Sequence, residues 1–180
     1  MLIILALVTA LLILVALWVA VHLLSSGVNA ITSAYSVGCP RQVLPEIVAW
    51  LKVPGRGTIL DLGCGDGRVL MAAQRPDRKV VLVGIENNPA LYVRTKLWLW
   101  GRAHILFGDG LTTHQPSVDV VFAYLSPRMM AKLEPTFHAH FPSATRLVSL
   151  QFPLPERRAQ HTILLKHGRP HAATLYVYEF

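Results

Sequence analysis

The residues Asp61-Leu62-Gly63-Cys64-Gly65-Asp66-Gly67-Arg68 set three alternating glycines behind an acid. A strand that runs into such a turn and then a helix brings bare backbone and free helical N–H groups to one spot, and a ligand can come close there. A nucleotide-like cofactor suits the place. A dinucleotide turn would need glycine where Arg68 stands, and a phosphate loop would need Gly-Lys-Ser/Thr after its glycines. Neither is present. An acid at a strand's carboxyl end, Asp61, suits an ammonium group better than a phosphate. Glu86 follows Gly65 by about 20 residues, where a carboxylate can accept both hydroxyls of a ribose. Asp109, in Phe107-Gly108-Asp109, is placed to accept from an exocyclic amine. Singly, each acid reads as a helix cap or loop residue, and a turn needs glycine anyway. Together with the glycine turn, they read as one cofactor-binding edge.

Positioning these residues requires strands that end on a common edge. Thr58–Leu62, Val80–Ile85, Ala103–Phe107 and Val118–Tyr124 are apolar runs of strand length, and VVLVGI is apolar on both faces, as in a parallel sheet covered on both sides. Between them, helices are expected at Arg68–Gln74 and Leu91–Trp100, the second opened by the cap Asn88 and Pro89. A further helix is expected at Arg41–Lys52, and one at Pro127–His140 broken or bent at Pro135. Thr145–Leu150, Thr162–Lys166 and Thr174–Glu179 add three strands with little helix between them. The pattern is an α/β three-layer fold, parallel at first and antiparallel at its end.

The series DLGCGDGR, GIENNPAL, FGD and DVVFAYLSP resembles the class I S-adenosylmethionine-dependent methyltransferases in order and spacing, over most of residues 56–130. Within them it is similar to small membrane-anchored protein-lysine methyltransferases, the mitochondrial enzymes that modify the ATP synthase c-subunit or the adenine nucleotide translocase, and their bacterial relatives. The shared features are an N-terminal hydrophobic anchor, the segment SAYSVGCPRQVL, Met129-Met130 and Phe152-Pro153-Leu154-Pro155. The resemblance implies a Rossmann-like seven-stranded sheet flanked by helices. It implies that Asp61, Gly63 and Gly65 surround the methionine part of the cofactor, that Glu86 with Asn87 holds the ribose, and that Gly108 and Asp109 admit and read the adenine. Tyr124, Leu125, Ser126 and Pro127 would form the loop facing the transferred methyl group, with Tyr124 and Ser126 as catalytic candidates and Tyr35 as a lid. Where related amine methyltransferases carry Asn-Pro-Pro-Tyr, this chain has Tyr-Leu-Ser-Pro, which leaves the acceptor open between a protein lysine and a lipid or isoprenoid quinone. Glu156-Arg157-Arg158 stand where the group usually has Trp. A non-catalytic cofactor-binding module is the third reading. No general base is assigned, and Tyr124→Phe is expected to cost rate more than cofactor affinity.

The 180 residues carry 17 basic and 10 acidic side chains, and none of them precedes Arg41. Residues 1–24 therefore read as a transmembrane helix, 25–40 as a linker and pre-domain segment, and 41–180 as one domain. The apolar run from Leu2 to Leu24 would span roughly 34 Å as a helix. A cleaved signal peptide with Val28-Asn29-Ala30 as its site is the competing reading, but no Lys or Arg leads the run. Arg41, Lys52 and Arg56 follow it, so the domain is expected on the cytosolic side of a single-pass protein. The net charge of +7 is scattered rather than gathered on a basic helix, which fits a bilayer neighbour and no nucleic acid. Cys39 and Cys64 make no disulfide framework, and His138 and His140 lack partners at metal spacing, so no metal is expected. Trp98 and Trp100 are expected to pack within the core or on a helix face.

Overall fold

A computed structural model describes residues 2–32, 38–53, 55–75, 79–113, 115, 117–142, 144, 146–165 and 173–180. The strands are β1 (Gly57–Leu62), β2 (Val80–Glu86), β3 (His104–Phe107), β4 (Val120–Ala123), β5 (Arg146–Leu150), β6 (His161–Leu165) and β7 (Ala173–Glu179). The helices are α1 (Leu2–Thr32), α2 (Leu44–Trp50), α3 (Arg68–Ala73), α4 (Pro89–Trp98), α5 (Pro127–Leu133) and α6 (Phe137–His140). All seven strands join one sheet in the order β3-β2-β1-β4-β5-β7-β6. Pairings are parallel from β3 through β5, while β7 runs antiparallel to both β5 and β6. The order reverses between β1 and β4, which opens a crevice at the carboxyl ends of those strands.

Each face of the sheet buries its own core. On one side Ile47, Leu51, Leu70 and Leu99 close over Leu82 and Ile105. On the other, Met130, Leu133, Phe137 and Phe141 pack with Val121, Leu147 and Tyr178. The fully buried Tyr178 phenol accepts a hydrogen bond from the Leu154 N–H at 2.8 Å, so its oxygen is not left unsatisfied.

Several elements differ from expectation for local reasons. The segment expected as one helix over Arg41–Lys52 begins as a 3₁₀ turn at Arg41–Val43 and is α-helical over Leu44–Trp50, with Pro45 tolerated in the first turn. The break at Pro135, by contrast, is as expected: a 3₁₀ turn at Glu134–Thr136 divides the stretch Pro127–His140 into α5 and α6. α1 continues to Thr32, beyond the expected end at Leu24, because the stretch holds one Gly and no Pro to stop it. Among the described residues no helix joins β3 to β4, which leaves Val81 and Leu106 exposed rather than covered. Trp98 and Trp100 also face solvent and do not enter the core.

Among the described residues no helix is long and apolar enough to cross a membrane. The large apolar side chains from Ile4 to Val21 are nonetheless exposed, and α1 lies against α4.

Candidate functional site

β1 is central in the sheet, so its last residues are buried by neighbours on both sides. Asp61 pairs in register with Gly84 of β2 and Phe122 of β4 and is only 3% exposed. Burial, followed by the carboxylates of Glu86 and Asp66, pushes its pKa up to about 8. The chain then turns through Gly63, Gly65 and Gly67, all with φ between 55° and 73°. L-residues with side chains avoid that region. The N–H groups of Gly63 and Cys64 both donate to the Ile85 carbonyl, which ties the turn to β2. Gly67 has a second constraint: a Cβ there would lie 2.7 Å from Thr95 and from Leu99. Its lack of a side chain serves packing against α4 rather than ligand approach.

Glu86 ends β2 and reaches back to the same turn. One carboxylate oxygen accepts from the Gly65 N–H at 2.8 Å and the other from the Asn88 N–H at 2.8 Å. Each oxygen keeps a lone pair for a ligand hydroxyl. Thr95 completes the clamp by donating to the Gly65 carbonyl at 2.6 Å. Asn88 caps α4, accepting from the Ala90 and Leu91 N–H groups, whereas Asn87 is exposed. Beyond β3, Gly108 donates its N–H to the Glu86 carbonyl, and Asp109 is exposed with one oxygen accepting from Leu111. Asp61, the glycine turn, Glu86 and the Gly108-Asp109 pair thus share one edge of the sheet.

β4 delivers Tyr124 to a small cleft of about 30 Å³ that it shares with Asp61, Gly63, Cys39 and Arg68. Burial, with a contribution from Cys39, raises the Tyr124 phenol above its ordinary pKa. Leu125 packs over Gly63, where an added Cβ would meet it at 3.4 Å. Ser126 is exposed and caps α5, its hydroxyl accepting from the Met129 N–H at 3.4 Å. Tyr35 lies outside the described residues. Burial first, then the negative field of Asp61, pushes the Cys39 thiol up to about 12, and burial raises Cys64 as well. Burial thus disfavours the thiolate at both positions. Among the described residues no group of His, Cys, Asp and Glu could hold a metal ion.

Two features escaped the sequence. Arg68 grips both oxygens of Asp66, with Nε at 2.8 and 2.9 Å and Nη2 in close contact, while Nη1 donates to the Cys39 carbonyl at 2.7 Å. The guanidinium hydrogen bonds hold the Asp66 pKa below its usual value. They also fasten the pre-domain segment to the glycine turn, and Gly38 packs on the same group. The Asp-x-Arg spacing was visible, but its third partner, 29 residues upstream, was not. Gln151 follows β5 with φ 74°, a left-handed conformation that no composition cue announced.

The edge fits a ligand bearing positive charge and vicinal hydroxyls. Asp61 is buried against other carboxylates, Glu86 is already oriented, and the turn between them presents backbone. Comparison with known proteins agrees. The ANTKMT methyltransferase domain matches residues 61–161. A protein-lysine N-methyltransferase of Saccharolobus islandicus (strain REY15A) is 29% identical over 147 residues, 78% of this chain and 91% of that protein. The ATP synthase c-subunit lysine N-methyltransferase of Homo sapiens is 33% identical over 113 residues, 59% of this chain but only 47% of its own length. Among solved structures, an RNA methyltransferase from Salinibacter ruber in complex with S-adenosyl-L-homocysteine superposes with a TM-score of 0.68 at 25% identity, covering 79% of this chain and 93% of that one. The expected seven-stranded sheet is therefore that of a methyltransferase. The chain belongs to the ANTKMT methyltransferase domain family, and S-adenosylmethionine is its cofactor.

Proposed function

We propose that this protein N-methylates a lysine of a membrane protein, with residues 2–24 crossing the bilayer and the domain on the cytosolic side. The observation that carries the acceptor assignment is the likeness to protein-lysine N-methyltransferases, one of which is named for the ATP synthase c-subunit. The apolar side chains that α1 turns outward support the anchor, and the basic residues that follow it support the orientation.

S-adenosylmethionine supplies an electrophilic methyl group on a sulfonium and leaves as a neutral thioether. What remains for the protein is alignment and charge. Asp61 offers a buried carboxylate to the positive end of the cofactor, and Glu86 accepts from its ribose while keeping the Gly65 and Asn88 bonds. Tyr124, held protonated by its surroundings, borders the cleft where a neutral amine would enter. Half-buried surroundings disfavour an ammonium ion, so the lysine sheds its proton to solvent before transfer and no side chain is needed as base.

The test is to incubate the full-length protein in membranes with methyl-labelled S-adenosylmethionine, beside a Glu86→Ala control, and then to separate protein, organic-soluble lipid and RNA. Label in a protein band, stable to acid as methyl-lysine and absent from the control, is the expected result. Label confined to the lipid extract or to RNA would overturn the lysine assignment.

A further inference from the structure

α4 reverses the usual pattern of a surface helix. Its inner side buries Thr95 and, just past its end, Leu99, while Val93, Leu97, Trp98 and Trp100 are 50%, 66%, 52% and 76% exposed. Scattered exposed apolar residues need no explanation, but four large ones within eight positions form a patch. Arg94 and Lys96 lie exposed among them and Arg102 follows, yet no acid occurs from residue 89 to residue 107. Beside Trp100 runs a groove of about 590 Å³ around the sheet edge, where Arg75, Lys96 and Arg102 meet Val81, Trp100 and Leu106. Basic and apolar groups thus line the same groove.

We propose that this face of α4, with its groove, is seated on the bilayer surface and receives anionic phospholipid. Indole rings settle at headgroup depth, and Lys and Arg stems reach across apolar surface to hold their charges among phosphates. Each well-placed basic residue is further attracted by an anionic leaflet. A second copy of the chain is a poor occupant, because a twofold contact would set Arg94, Lys96 and Arg102 against their own counterparts with no acid to receive them. α1 supplies continuity, since it lies against α4 and carries exposed apolar side chains of its own. The seating also has a consequence for the site. Glu86 and Asn88 lead directly into α4, so the cleft stays within about 15 Å of the membrane, the length of that helix. The inference deepens the membrane part of the proposed function and rests on it.

Tryptophan emission tests the two parts separately. The full chain is reconstituted in vesicles of phosphatidylcholine and phosphatidylglycerol, with acyl chains brominated either near the headgroups or near the bilayer centre. The emission lost in a Trp98→Phe/Trp100→Phe chain isolates the α4 face, and the emission lost in Trp18→Phe isolates α1. Shallow bromines should remove more than about half of the Trp98/Trp100 emission and iodide in solution little of it, as for indoles at the headgroups. Replacing Lys96 and Arg102 by Glu should weaken that quenching in vesicles containing phosphatidylglycerol and leave it unchanged in phosphatidylcholine alone. Quenching by iodide but not by lipid overturns the seating. Protection from both, which would mark a protein on this face, overturns it too. Trp18 quenched by deep bromines while Trp98 and Trp100 are not would keep the anchor and refute the seating, and the reverse pattern would refute the anchor alone.

Discussion

The carboxyl edge of the sheet and the outer face of α4 are joined by two residues, yet they carry opposite charge. Asp61, Asp66, Glu86 and Asp109 gather at the ends of β1, β2 and β3, with Asp61 and Glu86 buried. Residues 89–107 hold no acid at all, and their basic side chains stand among exposed tryptophans. The net charge of +7 is therefore not a uniform coat. Four of the ten acids gather at this one edge, and the lesson is that charge position, rather than charge total, sets an acidic edge suited to a cationic ligand apart from a basic face suited to an anionic one.

The largest expected effect comes from breaking the acid side of this division. Glu86→Ala removes the acceptor for both the Gly65 and the Asn88 N–H groups as well as the proposed ribose contact, and hydrogen bonds to a charged group are worth about 1.5–3 kcal/mol each. Cofactor affinity should fall by at least about 100-fold, measured by equilibrium binding, with a lower unfolding midpoint. Tyr124→Phe should be smaller and of a different kind. It keeps the ring in the cleft but removes the hydroxyl, so kcat should fall by roughly tenfold with cofactor Kd nearly constant; equal loss of both would make Tyr124 a binding residue. The smallest effect is Gln151→Gly, which relieves a left-handed residue worth about 1 kcal/mol and should raise the thermal midpoint by a few degrees without altering cofactor affinity.

The parallel order of the first strands could be read from the sequence because β-branched runs and glycine turns alternate there with little slack. The placing of Asp61, Glu86 and Asp109 on one edge was legible for the same reason: each lies at or just past the carboxyl end of a strand, and a common edge follows from the topology. Asn88 was legible as a helix cap from its place before a first-turn proline, whereas Ser126, expected in the loop facing the methyl group, proves to cap α5 in the same way. What stayed hidden depended on contacts distant in the chain. The clamp from Glu86 to the Gly65 N–H, the Arg68 bond to Cys39 and the close approach of Gly67 to α4 all require knowing which surfaces meet. Trp98 and Trp100 read as core or helix-face packing because indoles are usually buried in part. Nothing in their spacing tells a face turned to the sheet from one turned outward, since apolar residues occur on both sides of α4.

Asp61 gives the sharpest test of the cleft. Its pKa is raised from an ordinary 3.8 to about 8, so the ligand-free folded protein holds a proton there that the unfolded chain releases. Stability from this group is therefore complete below about pH 4 and is lost as pH rises through about 8. Asp61→Asn should lack that loss. A cationic cofactor reverses the balance by favouring the carboxylate, so binding near pH 7 should expel a proton. Calorimetric titration of the full-length protein with S-adenosylmethionine at pH 7, in two buffers of different ionisation enthalpy, measures this directly. Release approaching one proton in the wild type and none in Asp61→Asn is the predicted result. Equal heats in both buffers for the wild type would contradict the claim that a buried acid receives the positive end of the cofactor.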